Sequence, residues 1–82
     1  MTATLMRIRQ IREIKVEGLG EKIRRARKLS DKSLETLCSE VGVSKTYWYE
    51  MEKETIKGAL SIENLKAVEK ALETDFGVKF DD

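Results

Sequence analysis

Residues 33–52, SLETLCSEVGVSKTYWYEME, decide the fold of this chain because they predict two short helices joined by a tight turn. Ser33 can cap the first helix, since a serine oxygen accepts a hydrogen bond from an amide of the first turn. The apolar residues that follow are spaced by three and four, which places them on one helix face: Leu34, Leu37, Cys38 and Val41. The first helix is therefore expected to bury one side.

Gly42 marks the turn, because it follows the last apolar residue of that face and glycine readily adopts the left-handed conformation that ends many helices. Ser44 is a second cap, and it predicts a second helix over about residues 45–53. The apolar side of that helix comprises Tyr47, Trp48 and Met51. Two capped helices three or four residues apart form a helix-turn-helix.

This stretch resembles the helix-turn-helix of the phage-repressor type, the lambda Cro/CI or XRE-like family. With Leu34 as the first motif position, the matching residues are the small fifth residue Cys38, the turn glycine Gly42, the pair Val43 and Ser44, and the buried residue Trp48. Residues 19–28, LGEKIRRARK, look like the first helix of that family. Residues 61–73, SIENLKAVEKALE, look like the helix that follows the motif.

The resemblance implies a mainly α fold, a compact four-helix and lambda-repressor-like domain over residues 19–74 with its motif at 33–52. It also implies an ion pair between Arg27, late in the first helix, and Glu52, at the end of the recognition helix. Leu34 stands where the family often has a glutamine that reaches a DNA phosphate. We therefore expect one phosphate contact fewer than in a typical member.

Several motif residues are interpreted as structural rather than functional: Leu37, Cys38, Gly42, Val43 and Trp48. Trp48 lies three residues before Met51 on the apolar side, so a core anchor is favoured over stacking on a nucleobase. It is larger than the usual aliphatic residue there, and the packing between the motif helices must adjust to the ring. Cys38 is expected to act as a small buried hydrophobic residue.

Residues 1–18 form a basic strand or arm in this interpretation. Isoleucine and valine are the main apolar residues, and Ile14 and Val16 alternate with charged residues, so we expect a strand over about residues 8–16. A helix is the competing prediction because other apolar residues are spaced by three: Leu5, Ile8, Ile11 and Ile14.

Residues 75–82 are predicted to be a C-terminal strand and tail, with Phe76, Val78 and Phe80 on one face. The N-terminal and C-terminal strands are expected to pair, because one strand does not stand alone. Two other uses of the N-terminal segment stay open. It could pair with its copy in a second molecule, or serve as a DNA-binding arm through Arg7, Arg9 and Arg12.

The composition restricts the classes of function. The chain has 82 residues, no histidine, no proline and one cysteine, which argues for one small domain without disulfides, cysteine-rich zinc sites or histidine acid-base chemistry. No catalytic constellation can be assembled, so we expect no enzyme, no metal and no cofactor. No segment approaches about 18 consecutive apolar residues, which predicts a cytoplasmic protein without a membrane partner.

The charges are unevenly distributed. Residues 1–28 carry nine Lys and Arg against three Glu, whereas residues 29–82 carry seven Lys against twelve Asp and Glu. A first helix lying across the DNA backbone would present basic side chains to phosphates. The candidate phosphate contacts are Arg24, Arg25, Lys28, Ser44, Tyr47 and Lys53. A solvated helix face is the alternative interpretation of the basic residues.

The resemblance places four side chains of the recognition helix toward the major groove: Lys45, Thr46, Tyr49 and Glu50. Lys45 can donate to guanine O6 or N7, and Thr46 can hydrogen bond or touch a thymine methyl group. Glu50 could accept from cytosine N4, although a glutamate near phosphates is repelled unless it is paired. Each could also be plain surface.

Two hypotheses about function follow. In the first, a homodimer binds double-stranded DNA in a sequence-specific manner and regulates transcription. In the second, the fold is an antitoxin-like or adapter module that binds a protein partner. Acidity supports the second, since Glu50 and Glu54, unlike the paired Glu52, are expected to face whatever the recognition helix approaches.

Overall fold

The computed structural model describes residues 5–9, 14–56 and 58–78. Its four helices are α1 (Leu19–Leu29), α2 (Leu34–Val41), α3 (Lys45–Lys53) and α4 (Ile62–Leu72). Its three strands are β1 (Leu5–Arg9), β2 (Ile14–Glu17) and β3 (Leu60–Ser61). The expected mainly helical, four-helix domain is confirmed.

Serine caps begin three of the helices. Each serine side chain accepts a hydrogen bond from the amide three residues later, over 3.1 Å from Thr36 to Ser33, 3.0 Å from Tyr47 to Ser44 and 3.1 Å from Asn64 to Ser61. The turn between α2 and α3 is made by Gly42, whose φ of 84° lies in the left-handed region. The local sequence therefore sets both ends of the turn.

Two other helix ends use a glutamate in the left-handed region. Glu54 follows α3 with φ of 57°, and Glu73 follows α4 with φ of 52°. In each case the next amide bonds back to a carbonyl five residues earlier, over 2.9 Å from Thr55 to Glu50 and 3.0 Å from Thr74 to Glu69. A side chain with Cβ is disfavoured in this conformation, so both turns are strained.

The core lies between the helices and the inner face of β1. Its fully buried side chains come from β1, β3 and all four helices: Met6, Ile8, Leu19, Ile23, Leu37, Trp48, Met51, Leu60, Leu65 and Val68. Cys38 is also buried, and burial raises the pKa of its thiol, which keeps it neutral. Because Met6 and Ile8 belong to this core, the N-terminal segment is packed with the helices.

The N-terminal segment differs from its prediction. A single strand over residues 8–16 is wrong, and so is the competing helix, because β1 and β2 are separate antiparallel strands with Met6 opposite Val16 and Ile8 opposite Ile14. On its other side β1 pairs in parallel with β3, with Ile8 opposite Leu60. The alternation of Met6 and Ile8 toward the core fixes this register.

The predicted pairing with a C-terminal strand is also wrong in the described part of the chain. Residues 75–78 form no strand, and β3 supplies the additional pairing of β1 instead. Phe76 is nevertheless buried, and its amide donates to the Glu69 carboxylate over 2.9 Å. The predicted Phe80 of the C-terminal strand and Arg12 of the basic arm lie outside the described residues.

Candidate nucleic-acid interface

Helix α3 presents two different sides. Trp48 and Met51 are fully buried and hold the helix against the core. The side chains that remain exposed include Lys45, Thr46, Tyr49 and Lys53, while Glu50 is half-buried. Three of the four residues expected to contact bases are thus exposed, and Glu50 is less accessible than the sequence suggested.

Lys45, at the start of α3, is held by a residue of α2. Its Nζ donates to Glu35 Oε1 over 2.9 Å, with the side chains 54% and 76% exposed, respectively. The Glu35 carboxylate raises the pKa of Lys45, and Lys45 lowers the pKa of Glu35. Glu35 was not among the site residues predicted from the sequence. The signal for it was an acidic residue ten positions before Lys45, on the other side of the turn.

Glu52 links α3 to α1. Its carboxylate accepts two hydrogen bonds from Arg27, from Nε over 2.5 Å and from Nη2 over 3.0 Å. The two side chains are 21% and 5% exposed for Arg27 and Glu52, so the pair is shielded from water. The hydrogen bond to Glu52 raises the pKa of Arg27. The structure brings together the two residues that the resemblance had paired.

Two aromatic side chains join this pair. The indole Nε1 of Trp48 donates to Glu52 Oε2 over 2.6 Å. The Arg27 guanidinium lies over the Tyr49 ring, 5.8 Å from its centroid. One buried carboxylate therefore fixes the orientation of α3, and Arg27 also contacts a residue on the outer side of that helix.

Sequence reasoning missed the polar role of Trp48. The ring was expected only as a core anchor, yet a buried indole N–H ordinarily finds an acceptor. Glu52 lies four residues later, one turn along the same helix, so the acceptor is adjacent in space. This spacing was a usable signal.

The basic side of α1 is partly neutralised by its own helix. Arg24 and Arg25 lie 3.7 Å and 3.3 Å from Glu21, and all three side chains are exposed. Lys28, one turn later, is exposed as well. Arg24 and Arg25 share the one carboxylate of Glu21, so their two positive charges are only partly neutralised and remain accessible to phosphates.

The remaining candidate phosphate contacts lie on α3 and at its start. The Ser44 hydroxyl oxygen caps the helix, while its hydrogen can still be donated. Tyr47 is half-buried, and Lys53 is exposed in the last turn.

Glu54 is placed differently from its prediction. It was expected to face the ligand of α3, but its side chain packs against Gly20 at the start of α1, and its Oε1 is buried without a hydrogen-bond partner in the described part of the chain. Burial is the main cause that raises the pKa of Glu54, the nearby Glu17 adds to the rise, and the backbone amide of Gly20 opposes it. This acidic side chain thus packs against α1, and the expectation for it is wrong.

Gly20 allows α1 and α3 to approach closely. A Cβ at this position would lie closer than 3 Å to the backbone oxygens of Met51 and Glu52 and to the Glu54 side chain. The two helices could not keep this distance with any other residue. No local pattern predicts this constraint, since Gly20 lies inside a helix rather than at a turn.

Within the described residues, no group of His, Cys, Asp and Glu side chains is arranged to hold a metal ion. None of the helices that the structure describes has the length and apolar content needed to cross a bilayer.

Comparison with known proteins agrees with this geometry. A family model described as helix-turn-helix matches residues 23–78, which is more than half of the chain and includes both motif helices. No curated protein matches the chain significantly. The matched family is the XRE type, as in lambda Cro/CI-like repressors. The chain belongs to this helix-turn-helix family and is a DNA-binding domain.

Proposed function

We propose that this chain is a homodimeric transcription regulator that binds a specific double-stranded DNA sequence with α3 in the major groove. The observation that carries the proposal is the division of α3 into two sides. Trp48, Met51 and Glu52 fix the helix to the core and to α1, while Lys45, Thr46 and Tyr49 stay exposed. A rigid helix with polar residues at its exposed start suits base recognition.

The chemistry of the exposed residues supports roles in this binding. Lys45 would donate to guanine, and Thr46 would bond to a base or touch a thymine methyl group. Tyr49 and Glu50 would contact bases further along the groove. Arg24, Arg25 and Lys28 on α1, with Ser44, Tyr47 and Lys53, would contact phosphates and supply most of the affinity through counterion release. A DNA ligand also suggests a cytoplasmic location.

A surface beside α1 supports association with a second copy. Leu29 is 86% exposed, at the rim of a groove of about 640 Å³ whose apolar lining includes Ala26, Leu72 and Phe76. The walls of the groove carry charges of both signs, the cations Lys22, Arg25 and Lys32 and the anions Asp31, Glu73 and Asp75. In a two-fold dimer such walls can complement each other, since the same patch is used on both subunits.

Selection of bound sequences from a random duplex pool tests the proposal. A near-palindromic sequence should be enriched, with half-sites about 34 Å apart because two recognition helices enter successive major grooves. Light scattering should show two 9.4 kDa chains per duplex, and Leu29→Asp should reduce both association and affinity. Failure to enrich any sequence at low salt would contradict sequence-specific binding.

Substitutions separate base contacts from phosphate contacts. Lys45→Ala should weaken binding to the selected sequence about 10- to 100-fold while changing random-duplex binding much less. Arg24→Ala should weaken both alike and make the salt dependence shallower by about one ion. Equal effects of Lys45→Ala on both duplexes would mean that Lys45 reads no base.

The antitoxin-like or adapter function remains the second candidate because of the sheet. Strand β2 stands at one end of the order β2-β1-β3, where a partner strand could be added. This function predicts a stable complex with a protein partner that Lys45→Ala and Arg24→Ala leave intact. The complex should compete with a strand-forming peptide rather than with duplex DNA.

A further inference from the structure

Glu35 occupies an unusual position for an acidic residue in a DNA-binding domain. It lies in the first turn of α2, and its carboxylate accepts a hydrogen bond over 2.9 Å from Lys45, the first residue of α3. Both side chains are exposed, so burial does not force this contact. The pair bridges the two motif helices on the side where α3 begins.

We propose that Glu35 is a specificity-determining residue that acts by positioning Lys45. This inference rests on the proposed DNA-binding function and concerns the same site. Glu35 restrains the Lys45 ammonium at the start of α3 and neutralises it toward phosphates. Lys45 then favours a base contact at the correct sequence over a phosphate contact at any sequence.

The hydrogen-bonding capacity of the two groups allows this role. A lysine ammonium has three donors, and Glu35 uses one, which leaves two for guanine O6 and N7. Without Glu35 the same ammonium sits on a flexible four-carbon chain and can reach a phosphate equally well. Restraint by Glu35 therefore reduces the phosphate contacts of the Lys45 ammonium that compete with its contact to a base.

Electrostatics act in the same direction. A phosphate contact releases a counterion and contributes to binding of every duplex alike, so it raises affinity without sequence preference. An ammonium that is already paired with a carboxylate contributes less to this sequence-independent affinity. The expected result is a larger ratio between specific and non-specific affinity.

The same helix offers a matched control. Glu40 also lies on α2 and also accepts a 2.9 Å hydrogen bond from a lysine, Lys32. That lysine additionally donates to the Ala71 carbonyl at the end of α4, away from the recognition helix. Glu40→Gln removes one exposed charge and one lysine pair as Glu35→Gln does, but it does not touch Lys45.

Binding of wild type, Glu35→Gln and Glu40→Gln to the selected sequence and to a random duplex, over a range of salt, tests the proposal. Glu35→Gln should bind the random duplex about 3- to 10-fold more tightly, with a salt dependence steeper by roughly one ion. Its affinity for the selected sequence should not rise, so the specificity ratio falls. Glu40→Gln should keep the wild-type ratio, and circular dichroism should show all three proteins folded under the binding conditions.

A double-variant cycle distinguishes positioning from simple repulsion. If Glu35 acts through Lys45, then Glu35→Gln should leave the specificity ratio unchanged in a Lys45→Met background. The proposal is overturned if Glu35→Gln lowers the specificity ratio equally in the wild-type and Lys45→Met backgrounds. It is also overturned if Glu35→Gln leaves the ratio of the wild type unchanged, or if Glu40→Gln lowers that ratio as much as Glu35→Gln does. If the wild type still selects a specific sequence, any of these contrary results overturns only the role of Glu35, and the proposed DNA-binding function stands. A wild type that selects no sequence overturns both.

Discussion

Trp48 and Glu52 are joined by a 2.6 Å hydrogen bond from the indole Nε1 to Oε2, one turn apart on the recognition helix. The same carboxylate accepts both hydrogen bonds from Arg27 of α1. A side chain that would otherwise only fill space thus completes the hydrogen bonding of a carboxylate that is 5% exposed.

Replacing the indole should therefore destabilise the domain. Trp48→Phe removes the N–H donor and part of the buried ring, and we expect a loss of about 2–4 kcal/mol in the free energy of unfolding. Urea denaturation followed by circular dichroism measures it. Tyr47→Phe, at the half-buried neighbouring position, is the control and should cost less than about 1 kcal/mol. Equal stabilities of Trp48→Phe and wild type would show that the hydrogen bond and the ring contribute nothing.

Gly20→Ala should destabilise the domain although alanine is the better helix former. On an open helix surface this change would stabilise by about 1 kcal/mol. Here the new Cβ would meet the backbone oxygens of Met51 and Glu52, and we expect a net loss of about 1–3 kcal/mol. The reversed sign is the diagnostic result in thermal or urea unfolding. A stabilised variant would mean that α1 and α3 are not held so closely.

Glu54 should make stability fall as the pH rises. Burial raises its pKa in the folded protein, so the folded state binds the proton more tightly than the unfolded chain. The stabilisation is complete below the ordinary glutamate pKa of about 4.3 and is lost as the pH rises through the higher folded value.

The measurement is the free energy of unfolding of wild type and Glu54→Gln at several values between about pH 4 and pH 7. Glu54→Gln should gain stability relative to wild type across this range. Glu35→Gln provides the opposite sign, because Lys45 lowers the pKa of Glu35 and that residue stabilises the fold only when ionised. Parallel curves for wild type and Glu54→Gln would contradict the assignment.

Glu73→Gly should stabilise the protein. Glu73 is exposed and has φ of 52°, a conformation that costs a residue with Cβ roughly 1–2 kcal/mol and costs glycine little. After the greater flexibility of glycine in the unfolded chain is subtracted, a gain of about 0.5–1 kcal/mol is expected. Lys70→Gly, inside α4, should instead lose about 1 kcal/mol. Similar losses at both positions would show that the turn is not strained.

The motif could be predicted from the sequence because its signals are local. Ser33, Gly42 and Ser44 each act on neighbouring residues, so their roles do not depend on the rest of the fold. The pairing of Arg27 with Glu52 came from resemblance to a family, since the two residues are far apart in the chain. Where neither a local signal nor a family pattern existed, the prediction was poorer.

The hairpin shows why. Residues 10–13, QIRE, contain no glycine, proline, asparagine or aspartate, so the sequence carried no sign of a reversal between β1 and β2. The two residues of β3 are too few for a recognisable pattern. Glu54 was misplaced because it has a left-handed backbone and its side chain packs against Gly20 of α1, and nothing local to a glutamate predicts either feature.

The parallel pairing of β1 with β3 has a consequence for folding during synthesis. Ile8 is made early, but Leu60, its partner, follows about fifty residues later. Until then Met6 and Ile8 have no complete core to enter, and a chain interrupted after α3 lacks the strand and the helix that pack on β1. The core around β1 can therefore close only when β3 and α4 have left the ribosome.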